Sequence, residues 1–264
     1  MNKPTDSGKK CGGLIAKGCV LILVSVGVPF FCVTRVLAEL PSQKKHDAII
    51  TLRSVPSMDE STKRTRTHIY GLTWTDFDCC KKVAGVKDLV PMRIFPNQVR
   101  NEDKSFDTRI VGTSADYARL HRLEMDAGRF FNDDDNPAGK ADTEVVRNVI
   151  VLGNGVAKKL FPGEECKKIV GKNVIAYRHE FEVIGVAKAA DAFDQDVYIP
   201  IAIVKLRFGE RITIRKPGSF TAEIVELHQI DIVADPARVQ ALEKEIRAIL
   251  EKHHVREDWE IVPR

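Results

Sequence analysis

What this sequence lacks narrows its function before any single residue is singled out. It has no G-x-x-x-x-G-K-[ST] phosphate loop: Gly171-Lys172 is followed by Asn173, and the required upstream glycine is missing, so the chain does not hydrolyse ATP itself. It has no G-x-S-x-G nucleophile elbow, which removes an α/β-hydrolase. Cysteine is scarce. Of six, Cys11, Cys19 and Cys32 lie in a hydrophobic N-terminal segment, leaving Cys79, Cys80 and Cys166, too few for a disulfide scaffold. One bridge from Cys166 to Cys79 or Cys80 stays open in an oxidising compartment; otherwise Cys79 and Cys80 serve as small apolar residues of a helix.

Charge of one sign is also in short supply outside the N-terminus. The net charge is +4, yet Lys3, Lys9, Lys10, Lys17, Arg35, Lys44 and Lys45 against Asp6 and Glu39 place +5 in the first 45 residues and leave −1 for the rest. A nucleic-acid binder needs a basic folded face, so no nucleic-acid partner is expected.

What is present begins with a hydrophobic stretch. From Gly18 to Thr34 every residue is uncharged, and if Lys17 snorkels the stretch reaches back to Cys11. At about 1.5 Å per residue this is roughly 26 to 36 Å, enough to cross a bilayer as a helix. The lysines before it place residues 1 to 10 in the cytoplasm, with residues 11–36 in the bilayer and residues 40–264 outside. That predicts a single-pass membrane protein. The rival reading is a signal peptide cleaved after Ala38, since Val36-Leu37-Ala38 offers small residues at the inspected positions. Both export residues 40–264.

The exported part reads as α+β. Ala48 to Leu52 is a first strand; Thr73 or Thr75 caps a short helix over Asp76 to Val83; Gly85 stops it; Val86 to Ile94 is the next strand, with Pro91 marking an edge or a bulge. The same order returns near the C-terminus. His228 to Val233 is a strand, Asp235-Pro236 starts a helix as N-cap and N1, and Val239, Leu242, Ile246, Ile249 and Leu250 form its apolar stripe before a final strand from Trp259 to Pro263. These two strand-helix-strand halves, residues 45–100 and 220–264, are expected to pair into one layer, with residues 101–215 inserted as a mainly β second lobe. In the insert, strands are predicted at 107–111, 149–152, 174–177, 181–186 and 197–199, and helices at 114–120, 154–160 and 201–208.

Several features suggest chemistry and fall short of it. His179-Glu180 hints at a metalloprotease, but position 183 is Val where the second histidine must be. Asp133-Asp134-Asp135-Asn136 could attract Ca²⁺, yet it lacks the glycine and terminal glutamate of an EF-hand loop and reads as a solvated turn. His253-His254 closes a helix, where the dipole favours it without any ligand. Trp74 and Trp259 read as core or interface anchors. No catalytic residue, no cofactor-binding residue and no metal ligand is therefore assigned, and no cofactor is expected.

A resemblance is carried by Val111-Gly112-Thr113-Ser114-Ala115-Asp116-Tyr117, Ala127-Gly128-Arg129-Phe130-Phe131, Val149-Ile150-Val151-Leu152-Gly153, Ala157-Lys158-Lys159-Leu160-Phe161-Pro162-Gly163, Ile169-Val170-Gly171-Lys172, Phe181-Glu182-Val183-Ile184-Gly185-Val186 and Val197-Tyr198-Ile199-Pro200. In this order, behind a hydrophobic span, the sequence resembles the periplasmic core domain of MacB-type ABC transporter permeases. Gly128 and Gly163 fit sites of unusual backbone angle, and Gly185 fits a bulge or a close approach. The resemblance implies a porter-like lobe with an inserted second lobe, work coupled to a separate ABC ATPase, and as partners that ATPase complex, other permease subunits or a periplasmic adaptor. The resemblance also implies a bacterial inner membrane, where family members continue into three more spans, whereas this sequence stops at Arg264; a complete chain would then be a partner, a decoy or a degenerate remnant, and a fragment would be the first part of a permease. The alternative is a single-pass or secreted binding module that reuses the fold. An exported hydrolase rests only on scattered His and Asp residues.

Overall fold

The computed structural model describes residues 47–56, 67–135, 147–190, 193–209, 211–216 and 219–263. The hydrophobic stretch at 11–36 and the site after Ala38 lie outside the described residues. In chain order the elements begin with β1 (Ala48–Ser54), β2 (Thr67–Ile69), α1 (Trp74–Lys81), β3 (Val86–Asn101), β4 (Lys104–Thr113), α2 (Asp116–Leu120) and β5 (Met125–Gly128). They continue with β6 (Val149–Leu152), α3 (Asn154–Leu160), α4 (Cys166–Ile169), β7 (Asn173–Ala176), β8 (His179–Ala187), β9 (Asp196–Pro200) and α5 (Ile201–Phe208). Last come β10 (Arg211–Lys216), β11 (Ser219–Ile224), β12 (Gln229–Ala234), α6 (Val239–His253) and β13 (Trp259–Pro263).

The units β1-α1-β3 and β12-α6-β13 interleave. Their strands lie in the order β13-β1-β12-β3, antiparallel at each step, which is the split strand-helix-strand arrangement. Ile50 faces Ile232 and Leu52 faces Ile230 across β1 and β12, and these side chains pack with Leu242, Ile246 and Leu250 of α6 and Cys80 of α1 into one core. The three α6 residues are fully buried, each contributing roughly 1.5–3 kcal/mol. Thr73 accepts from the Asp76 backbone N–H while the Asp76 carboxylate accepts from the Thr73 N–H, a reciprocal capping box that starts α1 at Trp74, two residues earlier than predicted. Because β1 and β13 are antiparallel neighbours, with Ile50 opposite Pro263, the first strand starts where the last one ends.

β3 is far longer than the predicted strand, and Pro91 lies in the middle of the sheet rather than at an edge. The Met92 carbonyl accepts from the His228 N–H on the β12 side, so the alternating backbone turns the Pro91 nitrogen towards β4, whose ladder ends at the pair Met92 and Thr113. No ladder hydrogen bond is lost there.

Beyond Ile94 the sheet closes. β3 pairs β4, β4 pairs β9, β9 pairs β6, β6 pairs β8, β8 pairs β7, and β7 returns to β3 through Val99 opposite Ala176. Such a ring leaves no free edge among its six strands. A second, larger core fills this region, including Phe95, Ile110, Leu152, Leu160, Phe181 and Tyr198. Gly185 combines both features expected of it: Ile184 is an extra residue in the β6–β8 pairing, and a Cβ on Gly185 would stand 2.3 Å from the Arg129 carbonyl oxygen. A separate three-stranded sheet, β10-β11-β2, was not anticipated, nor were β5 and α4.

Candidate functional site

α1 and α5 approach each other across the middle of β3 and leave a cleft of 660 Å³. Leu89, Pro91 and Ile201 line it together with Trp74 and Phe77, whose rings meet edge to face at 5.6 Å. Lys205 Nζ sits 5.0 Å from the centre of the Trp74 ring, a cation–π contact that holds the lysine at the rim. The rim carboxylates are engaged: Arg119 pairs with both Asp88 and Asp116, and Lys87 pairs with Asp47.

On the other side of the β1–β12 layer, away from α1 and α6, lies a buried polar junction. Asp231 of β12, fully buried, accepts from Thr51 Oγ1 at 2.8 Å and Gln229 Nε2 at 2.8 Å, and His121 Nε2 lies 3.0 Å from its second oxygen. Burial pushes the Asp231 carboxyl up, but the hydrogen bonds from His121, Thr51 and Gln229 outweigh it and hold the group below the usual carboxylate range. His121 follows α2, and its ring stacks on Tyr117 at 4.2 Å, which in turn packs on Tyr198 of the closed region. The junction thus ties the helix-covered layer to the closed ring. Nearby, Arg109 grips Asp196 with two hydrogen bonds of 2.8 and 2.6 Å, a fork geometry that fixes β4 against β9. His228, pushed down to about 4 by burial and by Arg93, is neutral and accepts the Ile94 N–H at Nδ1.

A second network closes the far end of the helical layer. Asp76 accepts from Thr73, lies 2.8 Å from His253 Nδ1 and 3.0 Å from His254 Nε2; His254 Nδ1 lies 2.8 Å from Asp258, which also accepts the Gly71 N–H at 2.9 Å. Burial raises the Asp76 carboxyl, while hydrogen bonds from Thr73, His253 and His254 prevail and lower it. The two histidines therefore do more than sit at the helix dipole: they fasten the end of α6 to the start of α1.

The features that hinted at chemistry resolve into structure. Asp135 receives a two-point contact from Arg129 and the Asn132 N–H, so the acidic run forms a pinned 3-10 turn. His179 and Glu180 open β8, and Glu180 accepts from Asn173. Lys172 pairs with Glu164 at 2.7 Å. Trp259 carries Arg247 over its ring at 5.5 Å. Cys79, Cys80 and Cys166 are free, the first two on α1 and the third against the ring core, so the possible bridge is not formed. Burial pushes Cys80 up to about 12 and Cys166 up to about 11, so neither is a ready thiolate. Among the described residues no group of three or more His, Cys, Asp or Glu suits a metal, and no helix is long and apolar enough to cross a membrane. Sequence reasoning passed over Asp231 and His121. The available signal was an acidic residue between Ile230 and Ile232, inside a strand with both neighbours apolar.

Residues 19–249 match the family model of the MacB-like periplasmic core domain. The chain is 32% identical to the macrolide export ATP-binding/permease protein MacB of Rhodospirillum rubrum over 197 residues, which is 72% of this chain and 27% of that protein. It is 24% identical to the ABC transporter permease YknZ of Bacillus subtilis over 203 residues, 75% of this chain and 47% of that one. The chain thus spans about a quarter of the MacB relative and about half of YknZ. Among solved structures, the periplasmic region of MacB from Actinobacillus actinomycetemcomitans superposes with a TM-score of 0.61 at 22% identity, covering 81% of this chain and 88% of that one. The extracellular domain of YknZ gives 0.58 at 24% identity, covering 81% and 99%. These likenesses show the fold of interleaved and closed strands described above. With the family model matched across nearly all of the folded part, the chain belongs to the MacB-type ABC transporter permease family, through its MacB-like periplasmic core domain.

Proposed function

We propose that residues 40–264 are the extracytoplasmic core of a MacB-like permease that couples the cycle of a separate ABC ATPase to work outside the membrane, by moving substrate or transmitting motion. In this reading residues 11–36 cross the inner membrane once with a cytoplasmic N-terminus. Residues 45–100 and 220–264 act as a porter-like lobe, and residues 101–215 act as a mainly β lobe. In this reading the domain catalyses no reaction, and its partners are the ATPase complex or other permease subunits, with a periplasmic adaptor.

The observation that carries the reading is the antiparallel neighbourhood of β1 and β13, which brings the start of the folded part and its last strand to one edge. That geometry suits a permease core inserted between two membrane spans, with residues 11–36 as the first of them. Purification of the internally tagged protein from native membranes is expected to recover an ABC ATPase in a fixed ratio. Recovery of a soluble species beginning near Glu39, with no ATPase, would overturn it. The cleft beside Trp74 favours the second reading, a binding module that reuses the fold; that module would behave the same after deletion of every candidate ATPase partner.

A further inference from the structure

We propose that the cleft between α1 and α5 is a binding site for a drug-sized amphiphilic anion, with the apolar body against Trp74, Phe77, Pro91 and Ile201 and the anionic head at Lys205 and Lys81. The proposal goes beyond the transport reading and stands without it.

Size and lining come first. At 660 Å³ the cleft lies within the range of about 300–1,000 Å³ typical of small-molecule sites, and its walls are chiefly apolar with a few polar groups at the rim. Charge comes second. Asp88 and Asp116 are both taken by Arg119, and Lys87 by Asp47, whereas Lys81 and Lys205 have no carboxylate partner among the described residues. Arg119 offsets only one of its two carboxylates, so Lys81, Lys87, Lys205 and Arg119 against Asp47, Asp88 and Asp116 leave the rim one net positive charge, carried by the unpaired lysines.

The polar groups around the cleft agree with that sign. No side chain caps α5, and its first two residues, Ile201 and Ala202, line the cleft, so the positive end of the helix faces it. Lys205 is held over Trp74 before any ligand arrives, which lowers the ordering cost of binding. A cationic ligand would meet two lysines and find the Trp74 face already occupied by one of them. The geometry therefore favours an anion over an aromatic cage for a cation.

The test uses the full chain held in amphipol, with Trp259→Phe so that Trp74 is the one remaining tryptophan of the two. Its emission is followed during titration with decanoate, decylammonium, decanol and acetate. A saturable change is expected with decanoate, binding at least about tenfold weaker for decylammonium and decanol, and no response to acetate. Lys81→Glu combined with Lys205→Glu is expected to weaken decanoate by about tenfold or more. Lys81→Glu alone, which leaves the Lys205–Trp74 contact intact, is expected to weaken it several-fold and keeps the test valid if Lys205→Glu disturbs the reporter. Equal affinity for decanoate and decylammonium overturns the proposal, as does an unsaturable response, or charge reversal at both lysines without effect.

Discussion

The helix-covered layer and the closed ring are parts of one sheet, joined by β3, yet they are held together in different ways. The layer has the smaller apolar core and two buried carboxylates, Asp76 and Asp231, each surrounded by histidine and hydroxyl donors. The ring has the larger core, and its strands need few buried charges because pairing closes on itself. Closure satisfies backbone groups by geometry. An open layer with one face against helices must instead be fixed by specific side-chain contacts, and such contacts respond to protons where packed aliphatic groups do not.

The largest effect should come from the ring. Phe181, fully buried there, should cost about 3–5 kcal/mol on substitution by Ala, measured by denaturant titration. Calorimetry of that variant tests the contrast directly: one transition means β3 makes both parts melt together, and two mean that they are independent. Asp231→Ala comes next, with an expected loss of about 3 kcal/mol, since it strands the donors of His121, Thr51 and Gln229. A loss well under 1 kcal/mol would deny the junction its role.

A third prediction concerns acid. Asp76 and Asp231 both have folded-state values lowered from the ordinary carboxylate value. Their contribution is therefore fully present above that ordinary value, about 4, and is lost as pH falls through the lower folded value. The layer should loosen before the ring as pH drops below about 4. Both tryptophans, Trp74 and Trp259, pack against the layer's core, so their emission should shift at a higher pH than hydrogen-exchange protection in β6 and β8 is lost. Simultaneous loss would erase the distinction. The smallest effect is local to the ring. Tyr177 and Arg178 take φ of 48° and 74° in the two-residue turn between β7 and β8, a conformation that favours Asn-Gly. Arg178→Gly should therefore raise stability by about 1 kcal/mol, read as a shift in denaturation midpoint.

The same contrast explains what could be read from the sequence. Elements defined by local chemistry were legible: the α6 stripe, the Asp235-Pro236 start, the Thr73 cap, and β6, α3 and α5 at their observed bounds. Elements whose reason for existing lies elsewhere in the chain were not. β2 is a strand because β11 lies beside it, and β7 shuts the ring because Val99 is opposite Ala176. The strand expected over Val86 to Ile94 runs on to Asn101 because β4 and β7 pair with its second half, which nothing local announces. Asp76 was read as a helix-start residue, which it is, but its contacts with His253 and His254 span nearly the whole folded sequence. The Trp74 cleft had no local signature, since its walls come from α1, β3 and α5.

The pairing of β1 with β13 has one more consequence. With Ile50 opposite Pro263, the path through the fold returns to where it set out, so in topological terms it is nearly a circle. A short linker could join the two strands, and fresh ends could be opened at the Glu102-Asp103 turn between β3 and β4, without asking any strand to change neighbours. To a host polypeptide such a fold is a single-point graft: it can be gained, lost or transplanted through one seam.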